Sequence, residues 1–372
     1  MHDRISIAAD LMLRFADRTG LTSDRPGHRY LWTDAFAVCN LLGLARTMED
    51  GRYEVLAVRL ADRVHEELGR YRSDDRRRGW LSGLPDREAR EHPTRGGLRI
   101  GKALPERAPT EPFDPDLEWD RDGQYFHYLT KWMHALDQVA RATGEAKFNV
   151  WARELADASH RAFVVGPSGA RRMVWKLSVD LSRPLVPSMG QHDPLDGYVT
   201  CKKLEVTGAA LAPGVGPGLA GAENDFVRMI DRERLATSDP LGIGGLLADA
   251  CTLAHVDPDD GLLPWILDAA ARGLREYVSE PFLRTPAHRR LAFRELGLAI
   301  GLAAVPAIRG ALEHVGLTEA RPLAELSRCT PLHEEIEAFW LRPENRESPT
   351  WREHLDINEV MLATSLAPEG FL

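Results

Sequence analysis

The chain has 372 residues, 44% of them hydrophobic and 28% charged, the composition of an ordinary folded protein and not of a disordered one. A net charge of −9 and a pI near 5.8 give no basic footprint, so no nucleic acid and no membrane surface is the expected partner. Four scattered cysteines (Cys39, Cys201, Cys251, Cys329) form no CxxC pair, acids interrupt the first ten positions, and no apolar run reaches about 18 residues, which predicts a reducing, cytoplasmic setting without a membrane span.

Read in order, the chain alternates between two kinds of helical pattern. Charged, amphipathic "ISIAADLMLRFADR" precedes "YLWTDAFAVCNLLGLAR", which is apolar on nearly every side. "YEVLAVRLADRVHEELGRY" precedes "GQYFHYLTKWMHALDQVARATG", and "KFNVWARELADASHRAF" precedes "LDGYVTCKKLEVTGAAL". "GAENDFVRMIDRERL" then leads to "PLGIGGLLADACTLAH", "LPWILDAAARGLREYV" to "RRLAFRELGLAIGLAAV", and "LHEEIEAFW" to "DINEVMLATSLA". Helices with one wet face belong outside, and those without one belong inside, where small residues permit close approach. Asp, Asn, Pro and Gly recur in front of the inner segments ("DRDG", "HDPLDG", "SDPLG", "LDIN"), as helix starts require. The expectation is an all-α chain, a single 1–372 domain in which six helical hairpins close into an (α/α)6 toroid. An open solenoid shows a similar alternation, but usually at a fixed period with a shared consensus, and neither is present.

With that alternation, and with acids and aromatics in front of the inner segments, nearly the whole chain resembles, at the level of fold, the six-hairpin glycosidase-like superfamily. That group includes many glycoside hydrolases and the N-acylglucosamine 2-epimerase group. The resemblance implies a carbohydrate-active enzyme whose site lies where outer-to-inner links share one rim. Two links are long, at about 72–122 and about 164–194. Long loops in a compact domain are usually functional. Within the second, "MVWKLSVDL" alternates as a short β-hairpin that would present Trp175.

Carboxylates recur at the predicted rim, and glycoside hydrolysis needs one protonated acid and one carboxylate. Asp122, Asp193 and Asp196 are the first catalytic candidates, followed by Asp34 and Glu295. Trp32, Tyr125, Tyr128 and Trp175 would form a sugar platform, because sugar C–H faces stack on rings, while His127 and His192 would orient hydroxyls or tune a carboxylate. Simpler readings stand beside these. Asp193 or Asp196 would cap the next helix, residues 125, 128 and 132 would be a core stripe, and the arginine run with Arg76, Arg77, Arg78 and Arg99 would be a solvated loop or would bind an anionic group. An epimerase would make His127, His192 and His288 primary, and an interaction scaffold would have a filled centre. No HExxH or CxxC appears, the set Cys201, Cys251, His255 is poorly spaced for zinc, and the glycines of "GVGPGLAG" lack the Lys of a phosphate loop, so neither metal nor cofactor is expected.

Overall fold

Each amphipathic pattern and each apolar pattern becomes a helix. In the computed structural model, which describes residues 2–23, 27–167, 169–279, 284–316 and 321–372, helices take 66% of the chain and strands 4%, so the fold is all-α. The long helices are α1 (His2–Arg18), α2 (Leu31–Met48), α3 (Gly51–Leu68), α4 (Phe126–Thr143), α5 (Ala146–Phe163) and α6 (Asp193–Leu211). They continue with α7 (Ala220–Met229), α8 (Pro240–Val256), α9 (Leu263–Ser279), α10 (Ala292–His314), α11 (Leu332–Leu341) and α12 (Leu355–Leu366). α1, α3 and α11 bury one stripe, whereas α5, expected outside, is buried without a break from Trp151 to Ala156; α2 is buried continuously from Leu31 to Leu44 and α12 from Asn358 to Leu366.

The starts follow the capping chemistry read from the sequence. Asp239 caps α8 by accepting the Gly242 amide at 3.1 Å, with Pro240 in the first turn. Asp50 caps α3 through the Arg52 amide. At α6 the capping position is His192, without a side-chain cap, and Asp193 and Asp196 are first-turn residues.

The chain divides into two compact units: Ala16–Ile230, and Met1–Phe15 with Asp231–Leu372. In the first, α2 packs on α4 and α4 on α6, with α3, α5 and α7 against that row. Its two long links hold the strands β1 (Gln124–Tyr125), β2 (Val164–Val165), β3 (Arg172–Met173), β4 (Lys176–Leu177) and β5 (Pro184–Val186). β4 pairs antiparallel with both β1 and β5, and β2 with β3. The segment expected as one hairpin, "MVWKLSVDL", therefore ends one pairing and begins another.

In the second unit α10 lies between α8 and α12. α8 and α10 touch backbone to backbone: a Cβ on Gly244 would stand 2.1 Å from the Gly297 carbonyl oxygen, and one on Gly301 would stand 2.6 Å from the Gly244 Cα. The apolar run of α10 is longer than its sequence core suggests, because Pro306 is carried inside the helix instead of ending it. By length and composition α10 meets the test for a membrane span, but 67% of that stretch is buried inside the protein, as in a core helix. α1 joins this unit through Arg4, whose guanidinium pairs with buried Glu337 at 2.7 Å, and the same carboxylate accepts the Ser365 hydroxyl at 2.6 Å.

Candidate functional site

The β1–β4 pairing fixes what stands in front of α4. Gly123, at φ 152° and with the Leu177 carbonyl 2.7 Å from where a Cβ would be, lets the chain enter β1 against β4. Tyr125, the last residue of β1, is thereby set beside Trp175, with ring centroids 5.6 Å apart. Tyr125 is also 5.3 Å from Tyr128 and from His127, and Trp175 stacks on His127 at 6.0 Å. Tyr30 extends the cluster, its hydroxyl 2.6 Å from that of Tyr128, and Trp119 meets Trp175 edge-on at 5.2 Å. Three of the four expected platform residues, Tyr125, Tyr128 and Trp175, thus form one aromatic cup. Trp32 does not join them; it is buried and packs at a tilt against Phe36, with centroids 4.3 Å apart.

The cup is held from below. Lys176 is fully buried, and its ammonium donates to the carbonyls of Glu118 and Arg121 at 2.7 and 2.8 Å and pairs with the Glu118 carboxylate at 2.9 Å. It also lies 5.2 Å from the centre of the Tyr125 ring. Burial is the main force lowering the Lys176 pKa, and Glu118 opposes it. Arg107 takes the second Glu118 oxygen at 2.9 Å. The residue after this clasp is Trp119, half-exposed beside Trp175.

Beside the cup, α4 and α6 bring four ionisable groups together. His127 Nδ1 stands 3.9 Å from Asp193 Oδ1, and Lys131, one turn along α4, pairs with Asp196 at 3.2 Å. His127 Nδ1 and Asp193 Oδ2 are buried and have no hydrogen-bond partner. Burial, helped by the Asp196 charge, pushes the Asp193 carboxyl up to about 8, against the Gly190 amide and Lys131, which pull it down. Burial also lowers His127 to about 4, with Asp196 opposing and Lys131 assisting. Near neutral pH the pair is therefore a carboxylic acid facing an uncharged imidazole, next to an ion-paired carboxylate. Burial likewise raises Tyr30 to about 12, which keeps its hydroxyl neutral.

The other sequence candidates are committed elsewhere. Asp122 is fully buried, bound by the Arg99 guanidinium, and accepts the amides of Gly101 and Gly123 at 3.0 Å each. Asp34 accepts the Tyr30 amide at 3.1 Å and faces Arg29 at 3.4 Å. Glu295 is gripped by Arg290 at 2.7 and 2.6 Å and by the Trp340 indole at 2.8 Å, in the other unit. His192 opens α6 and its carbonyl accepts the Asp196 amide at 2.9 Å, while His288 is exposed on a 3-10 turn of the other unit. In the arginine-rich link, Arg77 pairs with Asp75, Glu106 and Asp180 and so knits the loop together, while Arg76 and Arg78 are exposed.

Lys131, Tyr30, Trp119 and Lys176 are the participants that sequence reasoning missed. Lys131 alone left a local signal, since it lies four residues after His127 and shares its helical face. Among the described residues no group of three or more His, Cys, Asp or Glu is placed to hold a metal. His255 Nδ1 lies 2.7 Å from the carbonyl oxygen of Cys251, four residues earlier on the same helix. Comparison with protein-family models, curated proteins and solved structures gave no match to the chain.

Proposed function

We propose that this protein is a carbohydrate-active enzyme, a glycoside hydrolase, working at the aromatic cup with Asp193 and Asp196. The observation that carries the reading is a neutral, buried Asp193 one helical turn from an ion-paired Asp196, beside Tyr125, Tyr128 and Trp175. Two acids whose surroundings separate their protonation states divide acid and base work. Asp193 would give its proton to the glycosidic oxygen as the C–O bond breaks. Residues three apart on a helix hold their Cβ atoms roughly 5–6 Å apart, close to the carboxyl separation of retaining enzymes. On that geometry Asp196 forms the bond to the anomeric carbon, and water later cleaves the ester and returns its proton to Asp193. The closed (α/α)6 arrangement of the helices belongs to the same proposal and is supported by their alternation.

Aryl glycosides and small oligosaccharides test this directly. Hydrolysis is expected with retention at the anomeric carbon and should be abolished by Asp196→Asn. Asp193→Asn should spare substrates whose leaving group needs no protonation. Product of inverted configuration removes Asp196 as nucleophile, and absence of hydrolysis across the panel removes the reading.

A second reading has its own support in the neutral His127 imidazole 3.9 Å from Asp193, an acid/base pair suited to moving a proton beside a sugar carbonyl. Interconversion of reducing sugars, lost in His127→Gln and kept in Asp196→Asn, would mark an epimerase.

A further inference from the structure

Away from the acid pair but within the same unit, three arginines converge on a cavity of about 260 Å³ between the α1–α2 link and the outer face of α3. Thr19, Ser23, Arg29, Arg59, Arg63 and Glu67 line it. Arg29 is buried: one guanidinium nitrogen donates to the Thr19 carbonyl at 2.8 Å, while Nη1, 3.4 Å from Asp34, has no hydrogen-bond acceptor. Arg59 and Arg63 stand four residues apart on α3, exposed, and neither has a side-chain hydrogen bond or ion pair among the described residues. Glu67 follows one turn later and accepts the Arg29 amide at 3.2 Å.

Arg59 and Arg63 are unlike the arginines of the other clusters. Arg77, Arg99 and Arg290 each meet carboxylates directly. With a net charge of −9 there is no shortage of acids, yet Arg59 and Arg63 share a helical face with each other, where like charges four apart repel. An anion between them relieves that repulsion, and guanidinium forks match the oxygens of a phosphoryl group. The cavity is smaller than the 300–1,000 Å³ or so of sites for drug-sized ligands, so the group it takes is small. Glu67 at the same cavity is an acceptor, which favours a ligand offering a hydroxyl beside its anionic end.

We infer that the cavity between the α1–α2 link and α3 is a binding site for a small hydroxyl-bearing phosphate monoester, whose phosphoryl oxygens lie on Arg59 and Arg63 and whose hydroxyl donates to Glu67. The site is separate from the acid pair of the cup and stands whatever reaction that pair performs. Calorimetric titration of the full chain with glycerol phosphate, inorganic phosphate, glycerol and acetate tests it. Glycerol phosphate is expected to bind saturably and more tightly than phosphate, and glycerol and acetate not to bind. Arg59→Gln with Arg63→Gln should weaken both phosphates about tenfold or more. Because both side chains are exposed and make no hydrogen bond or ion pair among the described residues, the unliganded melting temperature should hold, or rise slightly as their repulsion is removed. Glu67→Gln should reduce the preference for glycerol phosphate over phosphate. No saturable binding of either phosphate, acetate bound as tightly as phosphate, or affinity unchanged in the double variant would each overturn the site.

Discussion

At Asp193, burial and a neighbouring carboxylate raise the pKa together, while at His127 burial wins over the attraction of Asp196 for a charged ring. The two make opposite demands on pH. A carboxyl raised from its ordinary range to about 8 contributes stability that is complete below about pH 4 and is lost as pH rises towards 8. An imidazole lowered from 6.5 to about 4 contributes stability that is complete above 6.5 and is lost as pH falls towards 4. Between these limits the slopes oppose each other, and from about 6.5 to 8 only that of Asp193 remains. Urea unfolding of Asp193→Asn against the parent should therefore show an advantage for the variant that grows over this window, at most about 1.4 kcal/mol per pH unit. A difference that stays constant from pH 6.5 to 8 would mean that Asp193 is ionised throughout. In the proposed hydrolase the same proton is the catalytic one, so kcat/KM should decline as pH passes about 8. Asp122 should behave otherwise. Its carboxylate answers Arg99 and two amides, so Asp122→Asn leaves a buried guanidinium without its counter-charge and should cost about 3–5 kcal/mol of stability. The sequence could not separate these two aspartates. Both precede an apolar helix, and what distinguishes them is an arginine 23 residues away from one and a histidine on another helix facing the other.

Helices were legible because a period of 3.6 repeats often enough in 10 to 23 residues to show itself, and every pattern read as outer or inner became a helix. Strands of two or three residues carry no such repeat, and the long links are ordered by contacts distant in sequence. The Lys176 clasp is the clearest example, joining a residue of the second link to Glu118 and Arg121 of the first. Lys176→Met should leave Glu118 with Arg107 alone and free the two carbonyls. Hydrogen exchange should then speed up across residues 115–125 and 173–186 while α2 and α4 stay protected; unchanged exchange there would show that the strand pairing suffices without the clasp. The glycines of α8 and α10 make a second case. Gly301→Ala places a methyl against the Gly244 backbone, where no rotamer can relieve it, and should destabilise the chain by about 1–3 kcal/mol. Gly245→Ala, on α8 next to Gly244 but facing open space, is the control and should be neutral or slightly stabilising.

At the scale of the whole molecule, the two units differ in how the chain builds them. Ala16–Ile230 is one continuous stretch, whereas the other unit combines Met1–Phe15 with everything after residue 230. The ribosome therefore releases most of α1 more than 200 residues before its partners Glu337 and Ser365 exist. During synthesis the middle of the chain can complete its hydrophobic row while that first helix, amphipathic, waits for its partners. The Arg4–Glu337–Ser365 cluster, centred on a buried carboxylate, is then a late latch, closed only after α12 has emerged, and a ribosome that stops before α12 leaves behind a folded middle carrying an unlatched, sticky helix.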